Sequence, residues 1–156
     1  MKLYIGADHG GFYIKERTKD WLKQWGYEFE DVGAFTFETD DDYPQFAFLA
    51  ARRVADEKDS KAILFCRSGG GMSIAANRVK GIRAVDCLDI RSAEHARKHN
   101  DANVLSIPAD WLSEDEVKTA IQTFLQTPFS NEERHVRRIA MLDAQNTRVS
   151  EGIKTV

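Results

Sequence analysis

The amino-acid sequence predicts an α/β fold in which a five-stranded parallel sheet carries helices on both faces. Short apolar stretches typical of strands alternate along the 156 residues with longer stretches of helical periodicity. Such an alternation implies right-handed crossovers between parallel strands, and these crossovers place helices on both faces of the sheet. The stretch Ala62-Ile63-Leu64-Phe65 is apolar throughout, as expected for a strand covered on both sides.

The first half of the chain contains two strands and two helices. Residues 2–7 form the first strand, and residues 11–25 have the apolar spacing of a helix that Gly26 terminates. Residues 27–32 form a second strand, in which glutamates alternate with aromatic side chains. A second helix begins at Pro44, because proline is favoured at the first helical position.

The second half begins with the third strand, residues 62–65. This strand leads into the sequence CRSGGGMSIAAN, in which three adjacent glycines precede a short helical stretch. The remaining strands cover residues 82–88 and 104–107, and a helix covers residues 92–99. The next helix begins at the capping box Ser113–Glu116 and ends at Pro128. A last helix begins near Asn131.

Composition excludes several classes of protein. The net charge of −3 argues against a general affinity for nucleic acid or for an anionic membrane surface. No apolar run approaches the roughly 20 residues that span a bilayer, and the N-terminus does not resemble an export signal. The two cysteines fit a reduced, cytoplasmic setting. We expect one domain over residues 1–146 and a polar tail over residues 147–156, either disordered or lying over a neighbouring subunit.

Residues with polar or reactive side chains follow the predicted strands. In parallel α/β sheets, ligands bind beyond the carboxyl ends of the strands. The segments at those ends begin at Asp8, Gly33, Cys66, Asp89 and Pro108. Their convergence predicts a binding site at this edge of the sheet.

The glycine loop Ser68-Gly69-Gly70-Gly71 can direct backbone N–H groups at an anion or at a developing oxyanion. It matches neither the dinucleotide fingerprint nor the Walker loop, so it gives nucleotide binding no specific support. The alternative is a tight turn without a ligand.

Cys66 is distinguished from Cys87 by its position at the end of a strand, beside Arg67 and close to a helix N-terminus. Both neighbours favour a thiolate, so the pattern predicts a reactive thiol. The alternative is a small buried hydrophobic residue, which is our interpretation of Cys87.

The histidines also have two interpretations. Asp8 can orient the imidazole of His9. His95 and His99 share a helical face, but the stretch lacks the glutamate and the cysteine pair that would favour a metal site. His99 with Asn100 is either a proton shuttle beside an amide donor or a solvated histidine next to an asparagine cap.

Two arginines of the last predicted helix, Arg134 and Arg138, lie four residues apart. This spacing places both on one helical face, where they can clamp a phosphate or a carboxylate. The alternative is a solvated charged surface.

Several motifs in register resemble those of ribose-5-phosphate isomerase B and its relatives, a family that includes the galactose-6-phosphate isomerase subunits. They are GADHGG, DYP, MSIAANRVKGIRA, HNDANVL, and TPF followed by RHVRR, and the resemblance covers about residues 2–140. It implies a Rossmann-like three-layer sandwich and a homodimer or dimer of dimers with shared active sites. It also implies isomerisation of a sugar phosphate, most simply ribose 5-phosphate to ribulose 5-phosphate, without metal or other cofactor. A six-carbon sugar phosphate and a non-catalytic binding role are the alternatives.

The same resemblance implies residue roles. Cys66 would be the base that moves a proton between C1 and C2, and Ser68 with His99 would open the sugar ring. Loop N–H groups of the glycines with Asn100 would stabilise the enediolate. The other substrate contacts would come from Asp8, His9, Tyr43, Arg67, Gly69, Gly70, Gly71 and Ser73, and phosphate would be bound by His9, Arg134 and Arg138, partly across a subunit interface.

The chain departs from the family pattern at two places. The family usually reads Cys-Gly-Thr-Gly where this chain has Cys66-Arg67-Ser68-Gly69, and Gly-Ala-Arg where it has Pro108-Ala109-Asp110. Arg67 therefore either replaces the phosphate-binding arginine or pairs with Asp110 and reshapes the pocket. The alternatives are that Arg67 points to solvent while Asp110 caps a turn, and that the pocket takes a different sugar.

Overall fold

A computed structural model describes residues 1–148 of the chain. The strands are β1 (Leu3–Ala7), β2 (Phe29–Asp31), β3 (Lys61–Cys66), β4 (Ala84–Asp86) and β5 (Val104–Pro108). The helices are α1 (Phe12–Gln24), α2 (Tyr43–Asp56), α3 (Gly70–Ala76), α4 (Ile90–Asn100), α5 (Glu114–Gln126) and α6 (Glu133–Arg148).

The five strands form one parallel sheet in the order β2-β1-β3-β5-β4. From β1 the chain moves outward to β2. From β3 it crosses in the opposite direction to the edge strand β4 and returns to β5, which lies between β3 and β4. The order therefore reverses between β1 and β3. A crevice opens at such a reversal, at the carboxyl ends of the two strands.

Two apolar clusters fill the two faces of the sheet. Alternate strand residues, such as Leu3 and Ile63, pack with α1, α4 and α5. The intervening residues, such as Tyr4 and Leu64, pack with α2 and α3. The period of two in the strands and the apolar faces of the helices produce a Rossmann-like three-layer α/β sandwich, which confirms the predicted fold class.

The predicted elements are all present, with small differences at their ends. β4 is limited to Ala84–Asp86, and α4 begins two residues earlier than predicted, at Ile90, with Asp89 and Ser92 forming a capping box. Asp101, not Asn100, is the left-handed residue that caps α4, with φ of 44°. The capping box at Ser113 is confirmed.

α6 extends through Arg148 and so includes the first two residues of the predicted tail. The remainder of that tail lies outside the described residues. Within residues 1–148, no helix combines the length and the apolar character needed to cross a membrane.

Candidate active site

The reversal of strand order brings the segments that follow β1 and β3 into contact. The N–H of Asp8 donates to the carbonyl of Phe65 at 3.3 Å, which continues the pairing of the two strands beyond their ends. A Cβ atom on Gly11 would lie 2.4 Å from the Cβ of Phe65, so only glycine fits at this position. The contact therefore places Asp8 close to Cys66, as the convergence of the strand ends predicts, and His9 follows Asp8 in the chain.

Cys66 ends β3 with its side chain on the α2 and α3 face of the sheet, and it is 5% exposed. The N–H of Gly69, a residue with φ of 79°, donates to the Cys66 Sγ at 3.2 Å. The predicted turn thus directs backbone N–H groups at the sulfur atom. Cys87 is buried in the opposite cluster, and both cysteines are free thiols.

Burial outweighs the helix N-terminus that was expected to favour the Cys66 thiolate, so only part of that expectation holds. Burial raises the pKa of the Cys66 thiol, and the Asp8 carboxylate acts in the same direction. Backbone N–H groups, above all that of Met72, offset only part of this effect on the pKa. The guanidinium of Arg67 extends to Asp110, to which its Nη1 donates at 3.3 Å.

Alkylation should report this raised pKa directly. We expect the rate at which iodoacetamide modifies Cys66 to keep rising with pH above the ordinary thiol value of about 8.5, because only the thiolate reacts. Cys87, whose pKa burial raises to about 11, should react later still and serves as an internal comparison. Mass spectrometry of each cysteine peptide measures both rates, and a Cys66 midpoint below that of a free thiol would contradict the assignment.

Asp41 holds His9 in place, and sequence reasoning missed it. One carboxylate oxygen of Asp41 accepts the backbone N–H of His9 at 2.9 Å and lies 2.6 Å from its Nδ1. This pairing leaves the Nε2 of His9 for a ligand. The only signal in the sequence was an acidic loop ahead of Pro44, which gave no reason to connect that loop with His9.

Asp8, His9 and Asp41 each offer a ligand atom within 4.8 Å of the others, an arrangement that can hold a metal ion. Some of these ligand atoms already take part in hydrogen bonds within the protein. Asp8 accepts the N–H of Gly11 at 3.1 Å, and Asp41 engages His9. The same groups are also suited to contact the hydroxyl and phosphate groups of a sugar phosphate.

Tyr43, the first residue of α2, covers the glycine loop. A Cβ atom on Gly71 would lie 2.8 Å from the Cζ of Tyr43, so the ring rests directly on the glycine backbone. Gly70 and Gly71 are the first residues of α3, and the first N–H groups of a helix have no partner inside it. Ser68 is exposed on the same loop.

Ser73 belongs to α3, two residues after Gly71. Its side chain is buried, and its hydroxyl lies 3.4 Å from the carbonyl of Ala84 on β4. Asp86, which the sequence analysis did not select, also approaches the glycine loop, with Oδ1 3.5 Å from the position of a Cβ on Gly69.

Arg67 and Asp110 form an ion pair at the carboxyl ends of β3 and β5, with 3.3 Å between Nη1 and Oδ2. The side chains are 66% and 46% exposed. Exposed pairs of this kind contribute only about 0–1 kcal/mol. The structure therefore contains the predicted pairing, in a form that leaves the guanidinium free to turn towards a ligand.

The second group of predicted residues lies elsewhere on the chain. α4 starts beyond the carboxyl end of β4 and runs back for 11 residues, a rise of about 16 Å. Its last residues, His99 and Asn100, therefore lie near the amino edge of the sheet, far from Cys66. Arg134 and Arg138 belong to this group, because α6 packs on α4 and places His135 against His99.

The candidate residues thus fall into two groups on one chain, and each is named a half-site because the predicted homodimer would bring the two together. The thiol half-site contains Asp8, His9, Tyr43, Cys66 and the glycine loop, and the histidine half-site contains His99, Asn100, Arg134 and Arg138. The sequence predicted both sets of residues. Sequence reasoning could not show that the direction of α4 separates them within one chain.

Comparison with known proteins identifies the family. Residues 3–142 match the family model described as Ribose/Galactose Isomerase. The chain is 39% identical over 142 residues to ribose-5-phosphate isomerase B of Mycobacterium tuberculosis, which covers 91% of this chain and 88% of that protein.

Solved structures agree in fold over nearly the whole length. Ribose-5-phosphate isomerase B of Clostridium thermocellum superposes with a TM-score of 0.90 at 37% identity, covering 96% of this chain and 99% of that one. The enzyme of Mycoplasma genitalium with bound ribulose 5-phosphate gives 0.91 at 34% identity, covering 94% and 96%. The chain therefore belongs to the ribose/galactose isomerase family and is an aldose–ketose isomerase.

Proposed function

We propose that this protein interconverts ribose 5-phosphate and ribulose 5-phosphate, with Cys66 as the base. The observation that carries the proposal is a thiol at the point where strand order reverses, covered by backbone N–H groups and next to Asp8 and His9. An aldose–ketose isomerase needs a base for a carbon-bound proton and donors for the oxyanion that forms. Both are provided at this point without a redox cofactor.

The reaction proceeds by proton transfer. The Cys66 thiolate removes the proton from C2 of the open aldose, and the electron pair moves into an enediolate. The N–H groups of Gly70 and Gly71, with the amide of Asn100, stabilise the charge on oxygen. The hydroxyl proton on O2 moves to O1, and the Cys66 thiol returns its proton to C1, which gives the ketose and restores the thiolate. Ser68 and His99 open the ring beforehand by moving the proton of the anomeric hydroxyl.

The remaining pocket residues bind the substrate. Asp8 and Tyr43 contact sugar hydroxyls. His9, held by Asp41, contributes its free ring nitrogen to the phosphate, and the two exposed arginines Arg134 and Arg138 contribute positive charge. A phosphate between a histidine and two guanidinium groups is a common charge-assisted arrangement.

A second copy of the chain completes the site. The direction of α4 carries His99 and Asn100 away from the carboxyl ends of the strands, where Cys66 lies, so we place them and the two arginines at a substrate held by the partner. Apolar side chains around the β4 edge and on α6 support such an interface, because they are exposed in the single chain. They are Ile74, Leu88, Ile90, Val136, Met141 and Leu142. We propose a homodimer or dimer of dimers that acts in the cytoplasm.

Arg67 is proposed to supply a further cation to the phosphate. Its pair with Asp110 is exposed and weak, so a phosphate competes for the guanidinium. Arg67→Gly is expected to raise the KM for ribose 5-phosphate about tenfold while changing kcat by less than about threefold, because the lost contact is the same in ground and transition states. Asp110→Asn, which frees the guanidinium, should lower or maintain the KM. Steady-state kinetics on both variants measures this, and an unchanged KM for Arg67→Gly would reject the role.

Assays of purified protein with a panel of five- and six-carbon sugar phosphates test the proposed function. We expect ribose 5-phosphate to give the highest kcat/KM. A higher value for a six-carbon sugar phosphate would assign that substrate instead. Binding of sugar phosphates without conversion of any of them would contradict an enzyme and favour a sensor.

A further inference from the structure

Three of the four histidines in the chain form a continuous stack between α4 and α6. The ring centroids of His95 and His99, one helical turn apart, are separated by 3.8 Å with an interplanar angle of 72°. The rings of His99 and His135 are 4.5 Å apart. His135 is 4% exposed, and its Nδ1 lies 2.9 Å from the hydroxyl of Ser130, so the inner ring is fixed.

His99 is therefore flanked by groups that oppose its protonation. On its own helix it faces His95 and Lys98, on α6 it faces His135, and just before α6 it faces Glu132. Burial lowers the pKa of His99, and His95, His135 and Lys98 lower it further. Glu132 acts in the opposite direction, but its carboxylate is engaged by Arg134 at 2.8 Å.

We propose that His95 is a positioning residue that keeps the ring of His99 in its neutral, proton-accepting form and in a fixed orientation. The edge-on packing of His95 limits rotation of the His99 ring from the solvent side, while His135 supports it from the protein side. His95 is exposed and has no other ring contact among the described residues, so its packing against His99 is its distinguishing feature.

The catalytic consequence rests on the proposed role of His99 in ring opening. A neutral imidazole can accept the proton of the anomeric hydroxyl, and an imidazolium cannot. Holding His99 neutral therefore extends activity towards acid pH. The three rings belong to one chain, so the effect on protonation exists whether or not a partner is bound.

Nuclear magnetic resonance titration of the full chain tests the inference without relying on activity. The four imidazole Cε1–H signals are assigned with single substitutions and followed against pH in the wild type, His95→Phe, His95→Gln and the control Glu94→Gln. Glu94 is the exposed neighbour of His95 on the same helix. We expect the His99 midpoint to move up towards its ordinary value of about 6.5 in both His95 variants and to stay in place in the control.

The Cys66 thiol, whose pKa is raised, sets the upper part of the acid limb of the kcat/KM profile for ribose 5-phosphate. The second break, which His99 adds at lower pH, should move to higher pH in the same two variants, which a purely structural role of His95 would not cause. An unchanged His99 midpoint in both His95 variants would overturn the inference. A shifted midpoint in a protein that converts no sugar phosphate would uphold it and reject the proposed function instead.

Discussion

Replacing Cys66 with alanine is expected to reduce kcat by about 10²–10⁴-fold, the range typical of a lost general acid–base group. The Cys66 Sγ is the acceptor for a backbone N–H at the point of strand reversal, and no other thiol lies on this face of the sheet among residues 1–148. Binding should change little, because the hydroxyl and phosphate contacts come from other side chains. Steady-state kinetics and circular dichroism of the variant measure both effects.

Cys87→Ala is the matched control for this substitution. Cys87 is also a buried free thiol, but it lies in the apolar cluster on the opposite face of the sheet. Its replacement is expected to cost stability of about 1 kcal/mol through lost packing, with kcat close to that of the wild type. Folded Cys66→Ala protein with wild-type turnover would remove Cys66 from the reaction.

Mixing two inactive variants is expected to restore activity. If the thiol half-site and the histidine half-site come from different subunits, a mixed dimer of Cys66→Ala and His99→Ala contains one intact site and one site with both defects. Random pairing makes half of the dimers mixed, so the mixture should recover about a quarter of wild-type activity. The measurement is the isomerase rate after subunit exchange, compared with each variant alone.

The control for complementation pairs Cys66→Ala with Asp8→Ala. Both substitutions lie in the thiol half-site, so every site in a mixed dimer has one defect and no activity should return. Recovery in this control, or its failure in the mixture with His99→Ala, would contradict a site shared between subunits.

The sequence predicts the framework and most of the thiol half-site because both follow from short-range patterns, whereas Tyr43 was named only through the family resemblance. Apolar stretches, the glycine loop and the capping box at Ser113 act on neighbouring residues, and all are present in the structure. The rule that ligands bind at the carboxyl ends of parallel strands then brings Asp8 to Cys66 without knowledge of the sheet order.

Contacts between residues far apart in the chain were harder to predict from the sequence. The pairing of Asp41 with His9 joins residues 32 positions apart, and the contact of His135 with His99 joins two helices. No periodicity encodes these contacts. The Cys66 pKa was misjudged for a related reason, since the sequence shows that Arg67 is adjacent but not that its guanidinium extends to Asp110 or how deeply the sulfur is buried.

Incubation of ribose 5-phosphate with the protein in deuterium oxide tests the central claim most directly. Proton transfer through Cys66 predicts that deuterium appears at C2 of the aldose and at C1 of the ketose, and that both signals are reduced with kcat in Cys66→Ala. Conversion without deuterium at either carbon, or incorporation at the wild-type rate in Cys66→Ala, would contradict the account.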